Sequence, residues 1–300
     1  SKHGSPWLLW MGPGTIRATL PRGSLLRMFD LGEIGEHVND APGFHLPGGV
    51  HTHLPAVEVL GIHFQFTKYM VLELAVAAIM IVVFVPLARR MRQGGAPRGR
   101  IWNFLEAILV FIRNEVARPA IGAKDADRFL PFLWNLFFFI LICNLLGMVP
   151  WLGSPTGSLA VTGALAMCVF AMTVGTGMRA HGAVGFWTGL VPQMDLPGPM
   201  ALFLKPMLFV IEVIGLIIKH SVLAVRLLAN MFAGHLVLAV IVSFIGATAH
   251  TFIVLWLGVT VGSLGGAVAI SLLELFVAFL QAYIFTFLSA LFIGMAIHQH

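Results

Sequence analysis

The chain has 300 residues, of which 58% are hydrophobic and only 10% are charged, and its formal net charge is +5. Soluble domains carry about 25% charged residues, so this composition excludes an ordinary soluble protein and indicates a chain that crosses a membrane several times. The basic residues cluster beside hydrophobic segments, where they set topology, so they do not require a nucleic-acid partner. Both cysteines lie in apolar runs, and no disulfide is predicted.

The first 66 residues are rich in Gly, Pro and His and lack sustained periodicity. They predict a largely irregular segment outside the membrane, without the apolar run and cleavage site of a signal peptide. Four histidines in this segment raise the alternative of a metal-binding or sensor protein: His45, His51, His53 and His63. No cysteine or closely spaced acid accompanies them, so no metal site is predicted.

Residues 67–300 are predicted to form the membrane domain, an all-α fold with five membrane-embedded helices. The predicted spans are residues 68–88, 129–149, 159–178, 201–246 and 251–297. The last two are far longer than the ~20 residues that a perpendicular helix needs. Because excess length is accommodated by tilt, these two segments are predicted to form a long, steeply tilted helical hairpin.

The orientation follows from the basic residues. The loop 89–100 carries five arginines and no acid, so the positive-inside rule predicts that it lies in the cytoplasm. The N-terminus is then outside, and five crossings put the C-terminus inside. Residues 101–122 mix Arg113, Glu115 and Arg118 with apolar residues, which predicts an amphipathic helix along the inner membrane surface.

Arg226 stands out because it is a permanent charge near the middle of the apolar segment 201–246. At the centre of a bilayer a guanidinium costs at least ~2.5 kcal/mol on insertion scales. A snorkelling anchor lies near a helix end, and Arg226 does not. The functional interpretation is therefore a fixed positive charge that meets a buried carboxylate.

Other polar residues lie at successive depths around Arg226. At 3.6 residues per turn, three of them share its helix face: Glu212, Lys219 and Asn230. His235 points to the opposite face, further toward the outside. On the last segment Glu274 and Gln281 are seven residues apart and share a face, with Glu274 the outer of the two. An inner acid, a central cation and an outer polar pair predict two aqueous half-channels, offset in depth and separated by Arg226.

Three motifs, at residues 143–150, 211–235 and 280–285, closely resemble subunit a of F-type ATP synthases. In that family an arginine faces a rotating ring of c subunits and forces each ring carboxylate to release its ion before it passes. The resemblance gives this role to Arg226, with Asn230 as its neighbour and Gln281 as the family's glutamine beside the arginine.

The resemblance also implies the residues of the two half-channels. Glu212 corresponds to the acid of the cytoplasmic half-channel, and His235 and Glu274 correspond to the outer pair. Many members carry Pro where this chain has His220, next to Lys219. An extra titratable or cationic group there could alter ion exit, or His220 lies on the lipid or protein side without a transport role.

The resemblance implies a stator subunit for rotary proton translocation, without a catalytic site, metal or cofactor of its own. Its implied partners are the c-ring, the peripheral-stalk b subunits, the rest of the ATP synthase and the lipid bilayer, in a bacterial inner membrane. A sodium-translocating version stays open, because ion choice is expected to lie mostly in the ring. An independent secondary transporter is the other alternative, but it would need a midplane site between two repeats, and no internal repeat is visible.

Overall fold

A computed structural model describes residues 67–92, 99–149, 153–191, 198–248 and 252–298, together with four short strands before them. The strands form two antiparallel hairpins: β1 (Gly43–Leu46) with β2 (Val50–His53), and β3 (Ala56–Val59) with β4 (Ile62–Gln65). The sequence had not indicated these strands. The rest of the predicted irregular segment 1–66 lies outside the described residues, as do the side chains of His45, His51, His53 and His63.

The remainder of the described chain is helical. The helices are α1 (Lys68–Arg92), α2 (Arg100–Phe111), α3 (Arg118–Ile121), α4 (Ala126–Gly147), α5 (Leu159–His181), α6 (Ala183–Gly189), α7 (Gly198–Thr248) and α8 (Ile253–Ile297). A π-helical turn, Ile112–Ala117, joins α2 to α3, and a 3₁₀ turn, Pro155–Gly157, precedes α5.

Five of the described helices are long and apolar enough to cross a membrane, namely α1, α4, α5, α7 and α8. The predicted fold class, an all-α membrane protein with five long apolar helices, is confirmed. A helical stretch occupies the segment that was predicted to be amphipathic, and its place on the inner membrane surface stays a prediction.

The core lies where α4 packs against α8 and against the π-helical turn. Large side chains of α4 are fully enclosed there, among them Phe137 and Ile140, and the Phe137 ring meets Phe279 of α8 edge-on with 5.6 Å between centroids. The outer face of α1, in contrast, exposes Leu74, Ile81 and Val82. An apolar outer face of this kind is suited to contact with lipid. On its other side, α1 packs against α4 and covers one side of the core.

The C-terminal end of α8, which is predicted to lie on the cytoplasmic side, packs closely against its neighbours. A Cβ added to Gly294 would overlap the carbonyl group of Ala120, so glycine is needed for this approach of α8 to α3. His298 donates a hydrogen bond from Nε2 to the carbonyl of Ile121 at 2.9 Å, and His181 at the end of α5 donates one to the carbonyl of Ile297 at 2.9 Å. These contacts join the C-terminal end of α8 to α3 and α5.

The two last helices, α7 and α8, run antiparallel and pack along each other. They have 51 and 45 residues. At 1.5 Å per residue these lengths are roughly 76 and 68 Å, more than twice the ~30 Å hydrocarbon core of a bilayer. Such lengths agree with the predicted hairpin, and its steep tilt and curvature stay a prediction.

Candidate functional site

Helices α7 and α8 meet closely at Gly234 and Glu274. A Cβ added to Gly234 would lie 2.7 Å from Glu274 Oε1 and 3.0 Å from its Cδ, so the missing side chain makes room for the carboxyl group. The contact also sets the register of the antiparallel pair. Gln281 is seven residues beyond Glu274 (281 − 274), and Arg226 is eight residues before Gly234 (234 − 226), so both lie at about the same depth.

The contact lies within a group of polar side chains that we call the outer cluster: Asn230, His235 and Glu274. Each has a buried atom without a hydrogen-bond partner among the described residues, namely Nδ2, Nε2 and Oε1 respectively. Glu274 is only 4% exposed. An unpaired buried polar group costs about 1–3 kcal/mol, and such groups in native proteins accompany a catalytic role or a contact with water or an ion. The three unpaired atoms make the cluster the candidate for a functional site.

The sequence predicted that His235 and Glu274 lie close together. Glu274 contacts the residue immediately before His235, so the fold brings the two residues into one region. No hydrogen bond joins them in the described part of the chain. Both unpaired atoms thus stay available to a third group.

Arg226 lies at the border between the packed and the open side of α7. Its neighbours Leu223 and Leu227 are buried, whereas Val222 and Val225 are about half exposed, at 45% and 55%. The guanidinium is partly buried, and within the described residues no hydrogen bond or ion pair engages it. A group with five N–H donors and a permanent charge is thus without a partner among the described residues.

A second region, which we call the inner cavity, lies on the other side of Arg226. It has a volume of about 480 Å³, and its polar lining residues are Thr173, Glu212, Lys219 and His298. Glu212 is partly buried and Lys219 is exposed. Glu212 is 14 residues before Arg226, roughly 21 Å along α7, whereas Gly234 is about 12 Å beyond it. The inner cavity and the outer cluster therefore lie at different depths, with Arg226 between them.

Comparison with known proteins identifies the family. The ATP synthase A chain family model matches residues 70–294. The chain belongs to this family. It is 39% identical to ATP synthase subunit a of Myxococcus xanthus over 277 residues, which cover 88% of each chain. It is 40% identical to ATP synthase subunit a of Chloroherpeton thalassium, over 87% of this chain and 75% of the relative. The resemblance to subunit a that the motifs indicated is confirmed.

Lys68, at the start of α1, is a buried cation near the outer cluster that the sequence did not reveal. It is 5% exposed, its Nζ lies 5.1 Å from the centre of the Tyr69 ring, and it is near enough to His235 for the two charges to interact. A buried lysine at a helix start is normally interpreted as a snorkelling anchor. Only the folded chain shows that this charge lies within electrostatic range of His235.

Asn144, in α4, is a second residue that the sequence left without a role. It is fully buried, donates from Nδ2 to the carbonyl of Ala278 at 3.2 Å, and accepts a hydrogen bond from Thr156 at 2.7 Å. Thr156 lies 2.7 Å from the hydroxyl of Ser154. Ala278 is one turn along α8 from Glu274, so this network anchors α8 next to the outer cluster. A polar residue inside the apolar run of α4 was the signal that could have found it.

Proposed function

We propose that this chain is the stator subunit of a rotary ATP synthase, and that it guides protons to and from a ring of c subunits through two offset half-channels. The observation that supports this most directly is the order in depth of three features along α7 and α8: the outer cluster, Arg226 and the inner cavity. Family membership supports a role in the ATP synthase complex.

The outer cluster is the proposed entrance for protons. His235 and Glu274 have side chains whose protonation burial and partners can tune into the working pH range. Their unpaired buried atoms, with that of Asn230, support a path along which water and these groups pass protons to a ring carboxylate. The neutralised carboxyl can then turn through lipid without the cost of burying a charge.

Arg226 is the proposed barrier between the half-channels. A ring carboxylate that reaches its guanidinium is favoured in the ionised form, because a nearby opposite charge lowers the pKa of a carboxyl group. The proton then leaves toward the inner cavity. Arg226 is free of partners in the described chain and lies beside exposed apolar residues of α7, which supports an apolar partner that carries an acid.

Glu212 in the inner cavity is the proposed exit acid. Each proton that crosses 100 mV supplies about 2.3 kcal/mol, so several protons must cross for each ATP made. The direction reverses when ATP hydrolysis drives the ring. In this proposal the chain is held by peripheral-stalk b subunits in a bacterial inner membrane, with its N-terminus outside and its C-terminus in the cytoplasm.

The test begins with the complex purified through a tag on this chain and reconstituted into vesicles. We expect a ring of small helical-hairpin subunits to co-purify, and ATP to drive acidification of the vesicles without added sodium. A requirement for sodium would replace the proton by the sodium version of the mechanism. Transport by this chain alone, without a ring, would overturn the proposal in favour of an independent transporter.

A further inference from the structure

His220 occupies a buried position between three helices. It is 3% exposed and lies on α7, six residues before Arg226. Its ring centroid lies 5.2 Å from that of Phe170 on α5, in an edge-on arrangement, and 4.9 Å from that of Phe292 on α8. The side chain therefore faces the protein and not the lipid. Packing against these aromatic side chains does not require a titratable residue, so the presence of a histidine here calls for another explanation.

The hydrogen bonds of His220 link its protonation to a threonine. Nδ1 lies 2.8 Å from the carbonyl oxygen of Leu216, which can only accept, so Nδ1 carries a proton. Nε2 lies 3.4 Å from Thr173 Oγ1, and this hydroxyl lies 2.9 Å from the carbonyl oxygen of Val169. The hydroxyl has one proton to donate. When it donates to Val169, it can only accept from Nε2, so a hydrogen bond between the two then requires an imidazolium; when it donates to Nε2, His220 is neutral.

Thr173 connects His220 to the inner cavity. Thr173 lines the cavity together with Glu212 and Lys219, whereas His220 itself does not reach it. The charged groups around His220 act in opposite directions. Lys219, next to it in the chain, opposes a positive charge, and an ionised Glu212 in the cavity wall favours one. On α5 and α8, the described side chains against the ring are Phe170, Thr173 and Phe292, and none of them is acidic.

We propose that His220 and Thr173 form a second proton-accepting site of the inner half-channel, parallel to Glu212. The inference rests on the proposed function of the chain. A hydronium ion in the cavity transfers a proton to Thr173 Oγ1 while the hydroxyl proton moves to His220 Nε2. Water and an imidazolium result, the hydroxyl turns to Val169, and release follows the same route in reverse. The inner half-channel thus has two residues that can bind a proton, Glu212 and His220.

A double-mutant cycle in the reconstituted complex tests this role. The variants are Glu212→Gln, His220→Gln and their combination, and the rate of ATP-driven proton pumping is measured. If the two sites work in parallel, each single change slows pumping a few-fold. The double change falls at least ~10-fold below the product of the single effects, because coupled residues deviate from additivity. Additive effects would overturn the proposal.

The pH profile separates a proton carrier from a packing residue. In the Glu212→Gln variant, we expect residual ATP-driven pumping to fall as the pH on the cytoplasmic side rises. The reason is that only the protonated imidazole can then supply a proton. The slope should vanish when His220→Gln is added. A slope that persists in the double variant would contradict the proposal.

Variants of Thr173 keep the test informative if His220→Gln does not assemble. Thr173→Val removes the hydroxyl at nearly constant shape and should reproduce the loss of the slope in the Glu212→Gln background, whereas Thr173→Ser should restore it. The matched control is Thr176→Val on the same helix, since the Thr176 hydroxyl is bonded to the carbonyl of Met172 and is not among the residues that line the cavity. Equal effects of the valine changes at both positions would overturn the role of Thr173.

The same preparations distinguish this inference from the proposed function. Arg226→Ala is measured beside the other variants. If Arg226→Ala still pumps normally, the proposed function fails. If it is inactive while His220 and Thr173 variants have the rate and pH profile of the parent, only the second site fails.

Discussion

The outer cluster and the inner cavity lie on the same pair of helices but differ in construction. At the outer cluster the helices touch, and Glu274 has room only because residue 234 is glycine. At the inner cavity, Glu212 lines an open space of about 480 Å³. A packed site depends on the position of each atom, whereas water can replace a missing side chain in an open one. Changes at the outer cluster should therefore be more damaging than changes at the inner cavity.

The largest effect is expected at the boundary between the two regions. Arg226→Ala should lower ATP-driven proton pumping by at least ~100-fold in an assembled complex, which is the range for loss of a preorganised charge. Arg226→Lys should also fail substantially, because a desolvated ammonium can lose its proton and lacks the planar fork. Arg128→Ala, a change at an exposed arginine of α4, is the control. Normal pumping by the Arg226→Ala complex would remove the basis for two separate half-channels.

The next effect tests the packing of the outer cluster. Gly234→Ala would place a Cβ 2.7 Å from Glu274 Oε1, so the carboxyl group must move. A displacement of a reacting group by about 1 Å can lower a rate by up to ~100-fold, and we expect pumping to fall about tenfold. The second change Glu274→Asp, which shortens the side chain by one methylene, should recover part of the activity. Gly215→Ala on the same helix is the matched control, since its Cβ would meet nothing within 4 Å. Equal activity of the two alanine variants would refute a packed outer site.

A smaller effect is expected at the network that supports the outer cluster. Asn144→Ala leaves Thr156 without its acceptor and the carbonyl of Ala278 without its side-chain donor, which costs about 1–3 kcal/mol for buried groups. We expect a lower unfolding temperature of the complex and slower pumping. Asn114→Ala is the control, because that amide is exposed and accepts only a 3.3 Å bond from Arg118. An unchanged unfolding temperature would show that Asn144 does not stabilise this end of α8.

The sequence predicted the long helices and singled out Arg226, but it did not predict the contacts that join the helices. Apolar runs of sufficient length define spans on their own, and Arg226 is conspicuous in any apolar helix. Periodicity placed His235 on α7 but did not identify Gly234 as the contact with Glu274, because a contact depends on the partner helix. Lys68 was missed for the same reason.

The sequence also did not predict the π-helical turn, the short strands or the burial of His220. The π-helical turn Ile112–Ala117 adds a residue to one helical turn, and a regular 3.6-residue pattern does not reveal it. The four strands before α1 are four residues each and lie in a segment rich in Gly and Pro, so alternation over so few positions gives no clear signal. His220 was left open between an effect on ion exit and a place on the lipid or protein side without a transport role. Its burial against α5 and α8 excludes the lipid side, and whether it takes part in transport stays a proposal.

The smallest effect is expected in the inner cavity, where Glu212→Gln should slow pumping a few-fold without stopping it. Glu212 is partly buried, it lines an open space, and another titratable residue, Lys219, lies on the same wall. Glutamine keeps the shape of the side chain but cannot carry a proton, so the change isolates proton transfer from packing. The measurement is the pumping rate at equal ATP hydrolysis, with Lys124→Gln, a change at an exposed charge between α3 and α4, as control. A complete loss of pumping in an assembled complex would contradict the expectation that substitutions in the inner cavity are less damaging than those in the outer cluster. Full activity would make Glu212 a structural residue.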